Sequence, residues 1–291
     1  MVEKQKNPLK SLVDKRWDQL TPKSRALAEY IINYTRRAAM LTIKELAANC
    51  KVSDATVVRF VTQLGFGGYI EFQQMVRDCA NTEMSLLDRM EMSHMASPGA
   101  QKMRQLVSNE MDNLKALYDS MNYQDVEKCL SMINQASKIY VIGSRHSYTF
   151  SYHMGWSLKN ILNNVSILNG SDSTTIDWLT TGQTKNSLVI IVATTRYPNE
   201  LIKIGKLARL QGFQLLAITD SNASPIIEFA HLSLVAPSQH IPFIGGLSAI
   251  GCLISFIIQE LARVNKEDVK NQQNSLERVY LENDIFFNLR L

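Results

Sequence analysis

The hydrophobic periodicity of this chain changes at Lys138, and that change restricts the available folds more than any other feature. Downstream lie five short β-rich runs, at 138–142, 165–168, 187–194, 214–219 and 232–236. Helical patterns at 147–163, 172–181, 198–211, 224–230 and 245–263 separate or follow them. The runs are apolar without alternating, as strands are when both faces are covered, so they predict a parallel sheet flanked by helices. Upstream the spacing is helical only. The expected fold class is an all-α N-terminal domain followed by an α/β domain with a five-stranded parallel sheet. The expected boundaries are 1–84 for the first domain, 85–104 for a linker, and 105–291 for the second domain with a C-terminal helix.

The first domain is punctuated by helix caps. Thr21 stands before Pro22, and Leu27, Tyr30, Ile31 and Tyr34 follow at helical spacing. Thr42 with Glu45 three residues on reads as a capping box for a second helix, 43–49. After the connector Cys50-Lys51-Val52, Ser53 caps a third helix, 54–64, which Gly65 ends. Two short helices around a tight turn form a helix-turn-helix, whose second helix lies in the major groove. On that helix Val57, Phe60, Val61 and Leu64 make a buried stripe, and Asp54, Thr56, Arg59 and Gln63 are expected to project outward. Arg59 could fork onto guanine O6 and N7, and Thr56 could meet a thymine methyl or a phosphate. A merely solvated helix surface would show the same residues.

Charge points the same way. Residues 1–80 hold 13 Lys and Arg against 8 Asp and Glu, an excess of +5, whereas the remainder holds 18 against 19. A basic bias confined to one small domain suits a phosphate backbone.

The run Leu41-Thr-Ile-Lys-Glu-Leu-Ala47, followed by Val52-Ser-Asp-Ala-Thr-Val-Val-Arg-Phe60 and Leu64-Gly-Phe-Gly-Gly-Tyr-Ile-Glu-Phe72, resembles the DNA-binding domain of RpiR-type regulators. The resemblance spans roughly residues 8–84. It implies that Lys44, Ser53, Thr56 and Arg59 face double-stranded operator DNA.

Between the domains, Met84, Met90, Met92 and Met95 cluster before the helix breaker Ser97-Pro98-Gly99. Beyond it Met103, Leu106, Val107, Met111, Leu114 and Leu117 recur at helical spacing. Such a stripe serves either as core, the reading favoured from Met111 onward, or as a dimer contact, since paired half-sites demand a two-fold protein. A homodimer or homotetramer is expected.

In an open parallel sheet, ligands bind at the carboxyl ends of the strands, where helix N-termini offer N–H groups to anions. Two strand ends carry suitable residues. The first run leads into Gly143-Ser144-Arg145-His146-Ser147, and the third into Ala193-Thr194-Thr195-Arg196-Tyr197-Pro198-Asn199. Gly143 permits close backbone approach; Ser144, Ser147, Thr194 and Thr195 supply hydroxyls; Arg145 supplies a fixed positive fork. Taken singly, Ser and Thr at helix starts are usually caps. Together the two loops could cradle one phosphate.

This region resembles a sugar isomerase (SIS) domain from about Met121 to Ala262, through Val141-Ile-Gly-Ser-Arg-His-Ser147 and Ala217-Ile-Thr-Asp-Ser221 followed by Ser224-Pro225. The resemblance implies phosphosugar binding through Ser144, Ser147 and the second loop. That loop departs from the family pattern S-x-S-G-x-[ST]: hydroxyls are lost at Ala193 and Pro198, and Arg196 replaces a glycine. Arg196, with Tyr197 beside it, is expected to take part of the anion binding, as for a phosphorylated sugar acid.

The combined expectation is a transcription regulator of carbohydrate metabolism, a repressor in sign, controlled by a phosphorylated sugar or sugar acid. The alternative is a sugar-phosphate isomerase or lyase, whose general base would have to be Glu228, Glu260 or His240. No catalytic residue, cofactor or metal is expected. His146 and His153 read as structural residues, no carboxylate at a metal-ligand spacing accompanies His231 or His240, and Asp172 reads as a helix cap or a sugar contact. With four scattered cysteines, no leader-like N-terminus and no membrane-length apolar run, a cytoplasmic location is the expectation.

Overall fold

A computed structural model describes residues 8–83, 85, 99–182, 184–238 and 248–287. The methionines before Ser97 and the candidate base His240 lie outside them. The chain divides into two compact units, one reaching to Gln105 and also taking in Ser221–Ala223, and one made of most of the chain from Leu106 onward.

The first unit contains α1 (Pro8–Arg16), α2 (Pro22–Asn33), α3 (Thr35–Ala38), α4 (Ile43–Cys50), α5 (Asp54–Gln63) and α6 (Tyr69–Glu83). The cap signals are realised as read. Thr21 accepts the Ser24 N–H, Thr42 and Glu45 form a reciprocal capping box, and the Ser53 side chain accepts the Thr56 N–H. Helices α1, α3 and α6 were not anticipated. Helix α6 closes the core under the helix-turn-helix, with Phe72 packed edge-on to Phe60 at 5.8 Å and to Phe66 at 5.5 Å. Leu27, Leu46 and Phe60 are fully buried with it. The Tyr69 hydroxyl donates to the Leu41 carbonyl at 2.7 Å, and burial pushes its phenol up to about 12. Gly65 is required by its φ of +93°, and a Cβ there would also crowd the Arg16 guanidinium at 3.0 Å, which donates to the Gln63 carbonyl.

Helix α7 (Ala100–Ser120) leads into the second unit, followed by α8 (Tyr123–Gln135), β1 (Lys138–Gly143), α9 (His146–Lys159), β2 (Val165–Asn169) and α10 (Thr174–Thr181). Then come β3 (Ser187–Ala193), α11 (Asn199–Gln211), β4 (Gln214–Thr219), a 3₁₀ turn (Pro225–Phe229), β5 (Leu232–Val235), α12 (Ser248–Val264) and α13 (Lys266–Glu282). The segment expected as a helix at 224–230 is therefore 3₁₀, and α8 is an addition.

Among the described residues the five strands form one sheet in the order β2-β1-β3-β4-β5, parallel throughout. Its two faces explain the unbroken apolar runs. Ile139, Val141, Ile190 and Ile218 point into a core shared with Cys129, Met154 and Leu253 of α8, α9 and α12. Tyr140, Ile142, Ile191 and Ala217 point the other way, onto Leu179, Leu201 and Ile204 of α10 and α11.

Every strand residue from Ser187 to Ala193 is buried. The chain leaves β1 for β2 on one side and returns to β3 on the other. Their carboxyl ends meet at the switch point where such sheets bind ligands.

Two expectations about side-chain placement are corrected. Met111 is 64% exposed, and Val107, Leu114 and Tyr118 are exposed with it, so this stripe of α7 is surface and only Leu117 joins the core. Thr56 does not project outward. It is buried on the shoulder of the α5 core stripe, beside Val57 and Phe60, with its hydroxyl turned back to Ser53 Oγ at 2.9 Å.

Candidate functional site

On the helical unit, α4 and α5 present Lys44, Ser53 and Arg59 at the surface. Arg59 Nε donates to the Ala55 carbonyl one turn back at 3.3 Å, an i to i−4 contact that lays the side chain along the helix. Ser53 and Thr56 form one capping pair, so Thr56 bears on Ser53 rather than on the surface.

On the α/β unit, the strand-end loops do converge. Ser147 Oγ and Thr194 Oγ1 are 2.9 Å apart, and Ser147 Oγ also accepts the Thr194 N–H at 3.0 Å. Both side chains are buried, so this pair ties the loops together beneath the surface. Gly143 has to be glycine here: a Cβ would meet Ser151 Oγ at 2.5 Å and the Ser147 carbonyl at 2.7 Å.

The second loop is anchored by a residue to which sequence reasoning gave no role. Asp220, immediately after β4, accepts the Thr195 N–H at 2.7 Å, the Thr195 hydroxyl, and the Tyr197 hydroxyl at 2.9 Å. Burial pushes its carboxyl up from the ordinary range, against the pull of these donors. Thr195 and Tyr197 are thus committed to Asp220. The only sequence signal was the place of Asp220 inside the stretch Ala217–Ser221.

Between these tethers the backbone turns through two arginines at positive φ. Arg145 has φ 51° and ψ −129°, and Arg196 has φ 66°. Non-glycine residues in this region cost on the order of 1–3 kcal/mol each and gather at functional sites. Both arginines are exposed.

Ser144, Glu200 and Ser171 complete the site. The buried Ser144 hydroxyl donates to Glu200 Oε1 at 3.3 Å, Ser171 Oγ donates to the same oxygen at 3.5 Å, and Arg145 Nε lies 3.5 Å from it. Burial pushes the Glu200 carboxyl up, but its own backbone N–H, Ser144 and Arg145 outweigh that and hold it below the usual range. A glutamate in the first turn of a helix reads in sequence as an ordinary dipole partner, which is why it drew no notice.

The remaining candidates take structural positions. Asp172 accepts the Thr174 N–H at 2.9 Å at the start of α10, a cap contact. His146 stacks edge-on against Phe150 at 5.5 Å. His231 Nδ1 accepts the Leu215 N–H at 3.0 Å. Glu260 is paired with Arg263 at 2.7 Å, and Glu228 lies exposed on the 3₁₀ turn. Among the described residues no single helix is long and apolar enough to cross a membrane.

Comparison with known proteins places both units. Residues 8–82 match the helix-turn-helix domain of the rpiR family, and residues 132–258 match the SIS domain. An uncharacterised HTH-type transcriptional regulator of Haemophilus influenzae is 26% identical over 226 residues, 75% of this chain and 76% of that protein. The HTH-type transcriptional regulator HexR of Pseudomonas aeruginosa is 24% identical over 226 residues, 77% of each. Among solved structures, NanR of Vibrio vulnificus complexed with ManNAc-6P superposes with a TM-score of 0.59 at 20% identity, covering 94% of this chain and 98% of that one. A helix-turn-helix joined to an SIS domain defines a class of DNA-binding regulators. The chain belongs to the RpiR family of transcriptional regulators.

Proposed function

We propose that the protein is a cytoplasmic regulator of carbohydrate-metabolism genes whose α/β unit binds a phosphorylated sugar or sugar acid between the ends of β1 and β3. The observation that carries this reading is the convergence of two hydroxyl-bearing loops, pinned by Ser147 and Thr194, with an exposed arginine at positive φ in each. Glu200 supports a binding role over an enzymatic one. A general base works best with a pKa near the operating pH, and this carboxyl is held below even the usual carboxylate range.

Lys44, Ser53 and Arg59 contact operator DNA, with Thr56 holding Ser53 in place. The exposed α7 stripe, Val107, Met111, Leu114 and Tyr118 at intervals of four, three and four, is the face of a homodimer or a tetramer built from it. Effector binding changes operator affinity by about 5–150-fold, the range for coupling free energies of about 1–3 kcal/mol.

The test is a titration of the full-length protein against double-stranded fragments from upstream of its own gene, with and without phosphorylated sugars and sugar acids. Binding should weaken steeply with salt. Arg59→Ala should cost about 1–3 kcal/mol if Arg59 reads a base pair. A protein that bound none of the fragments at low ionic strength would refute the regulatory reading.

A further inference from the structure

The anion seat of the α/β unit is occupied by the protein itself. Three groups from two loops converge on one carboxylate oxygen of Glu200: Ser144 Oγ and Arg145 Nε beyond β1, and Ser171 Oγ beyond β2. Two hydroxyls and a guanidinium around one oxygen are what a phosphate or carboxylate group of a ligand would seek. Ser144 is inaccessible to solvent, so its hydroxyl has no competing water. The Arg145 side chain, by contrast, is 76% exposed and that of Glu200 33% exposed. A pair this open is screened and contributes little to stability. The arrangement therefore does not explain itself as a structural ion pair. Arg145 is nonetheless held in a backbone conformation that glycine would adopt more readily.

We infer that Glu200 is a specificity-determining residue: its carboxylate fills the seat formed by Ser144, Ser171 and Arg145, and an effector binds by displacing it with an anionic group of its own. This rests on the reading that the site takes phosphorylated sugars. An anion approaching Ser144 and Arg145 meets a like charge already in place, so Glu200 must turn outward before the ligand engages. Only a ligand that offers the seat a charge as good as the carboxylate's succeeds. A neutral sugar gains nothing from the exchange and is rejected. The same displacement breaks the one described ion pair linking the first loop to α11, so ligand binding changes what holds the start of that helix.

The experiment is calorimetric titration of the full-length protein with glucose 6-phosphate, 6-phosphogluconate, inorganic phosphate and, as the neutral control, glucose. Glu200→Gln keeps the size of the side chain and an acceptor oxygen for Ser144 and Ser171 but removes the charge. It should bind the phosphorylated probes about tenfold more tightly, the effect of about 1.4 kcal/mol of removed competition. Glu200→Ala, which empties the seat outright, should shift affinity in the same direction and serves if the first variant folds poorly.

In an Arg145→Ala background the gain should vanish, because the seat has lost its cation. Unchanged or weaker binding in both Glu200 variants, with the parent protein binding, would overturn the inference. Silence from the parent and every variant towards all three phosphorylated probes would instead refute the phosphosugar reading, and the inference would fall with it.

Discussion

The two units hold their candidate contact residues in opposite ways. On the helical unit Lys44, Ser53 and Arg59 stand on an exposed helical surface, and their anchoring is local: a cap three residues away, a carbonyl four residues back. On the α/β unit the candidate hydroxyls are turned inward and already engaged, Ser147 with Thr194, Thr195 with Asp220, Ser144 with Glu200. A surface that reads DNA can be built in advance, because the partner is large and comes to an exposed face. A site for a small anion has to be kept satisfied while empty, since buried polar groups without partners cost about 1–3 kcal/mol each. The difference predicts that substitutions in the helical unit act on its packing or directly on the DNA. Those in the α/β unit act first on the protein's own tethers.

The strongest way to break this contrast is to remove packing. Phe60→Ala deletes a fully buried ring from the helical core and should cost about 3–5 kcal/mol. Thermal unfolding should show loss of the helical unit with sugar-phosphate binding retained; simultaneous loss of both would show that the units do not fold separately. Next in size is Asp220→Ala, which strands the Thr195 N–H and two hydroxyls and should destabilise the α/β unit by about 1–3 kcal/mol. Denaturant titration measures it, and an unaltered midpoint would mean that Asp220 does not tether the loop. Ser53→Ala removes the cap of α5 together with the hydroxyl proposed to meet DNA; it should cost about 1 kcal/mol of stability, with operator affinity falling alongside.

The subtlest test is pH. The Asp220 carboxyl is raised in the folded protein, so its contribution is fully present below the unfolded value near 3.8 and is lost as pH rises through the folded value. Relative to Asp220→Asn, the parent should lose stability upward from about pH 3.8 and then level off. A parallel pair of stability profiles would contradict the burial argument.

Much of this architecture was written locally in the chain. The caps at Thr21, Thr42 and Ser53 join residues three apart, and the parallel sheet followed from runs that stay apolar on both faces. The strand ends 143–147 and 193–199 were legible because strand-to-helix junctions have a fixed chemistry. Helices α3 and α6 were missed because their apolar positions are few or interleaved with polar ones. Thr56 was misplaced because the angular position of a residue beside a core stripe depends on what packs next to it.

The sequence alone determined the capped helices of the helix-turn-helix, the five strands, and which two loops could face one ligand, because those properties arise from neighbours along the chain. Only the tertiary structure decided which hydroxyls are free and what fills the site. Ser147 meets Thr194 across 47 residues, Thr195 meets Asp220 across 25, and Ser144 meets Glu200 across 56. Such partners are brought together by the order of strands in the sheet, and no local pattern records it.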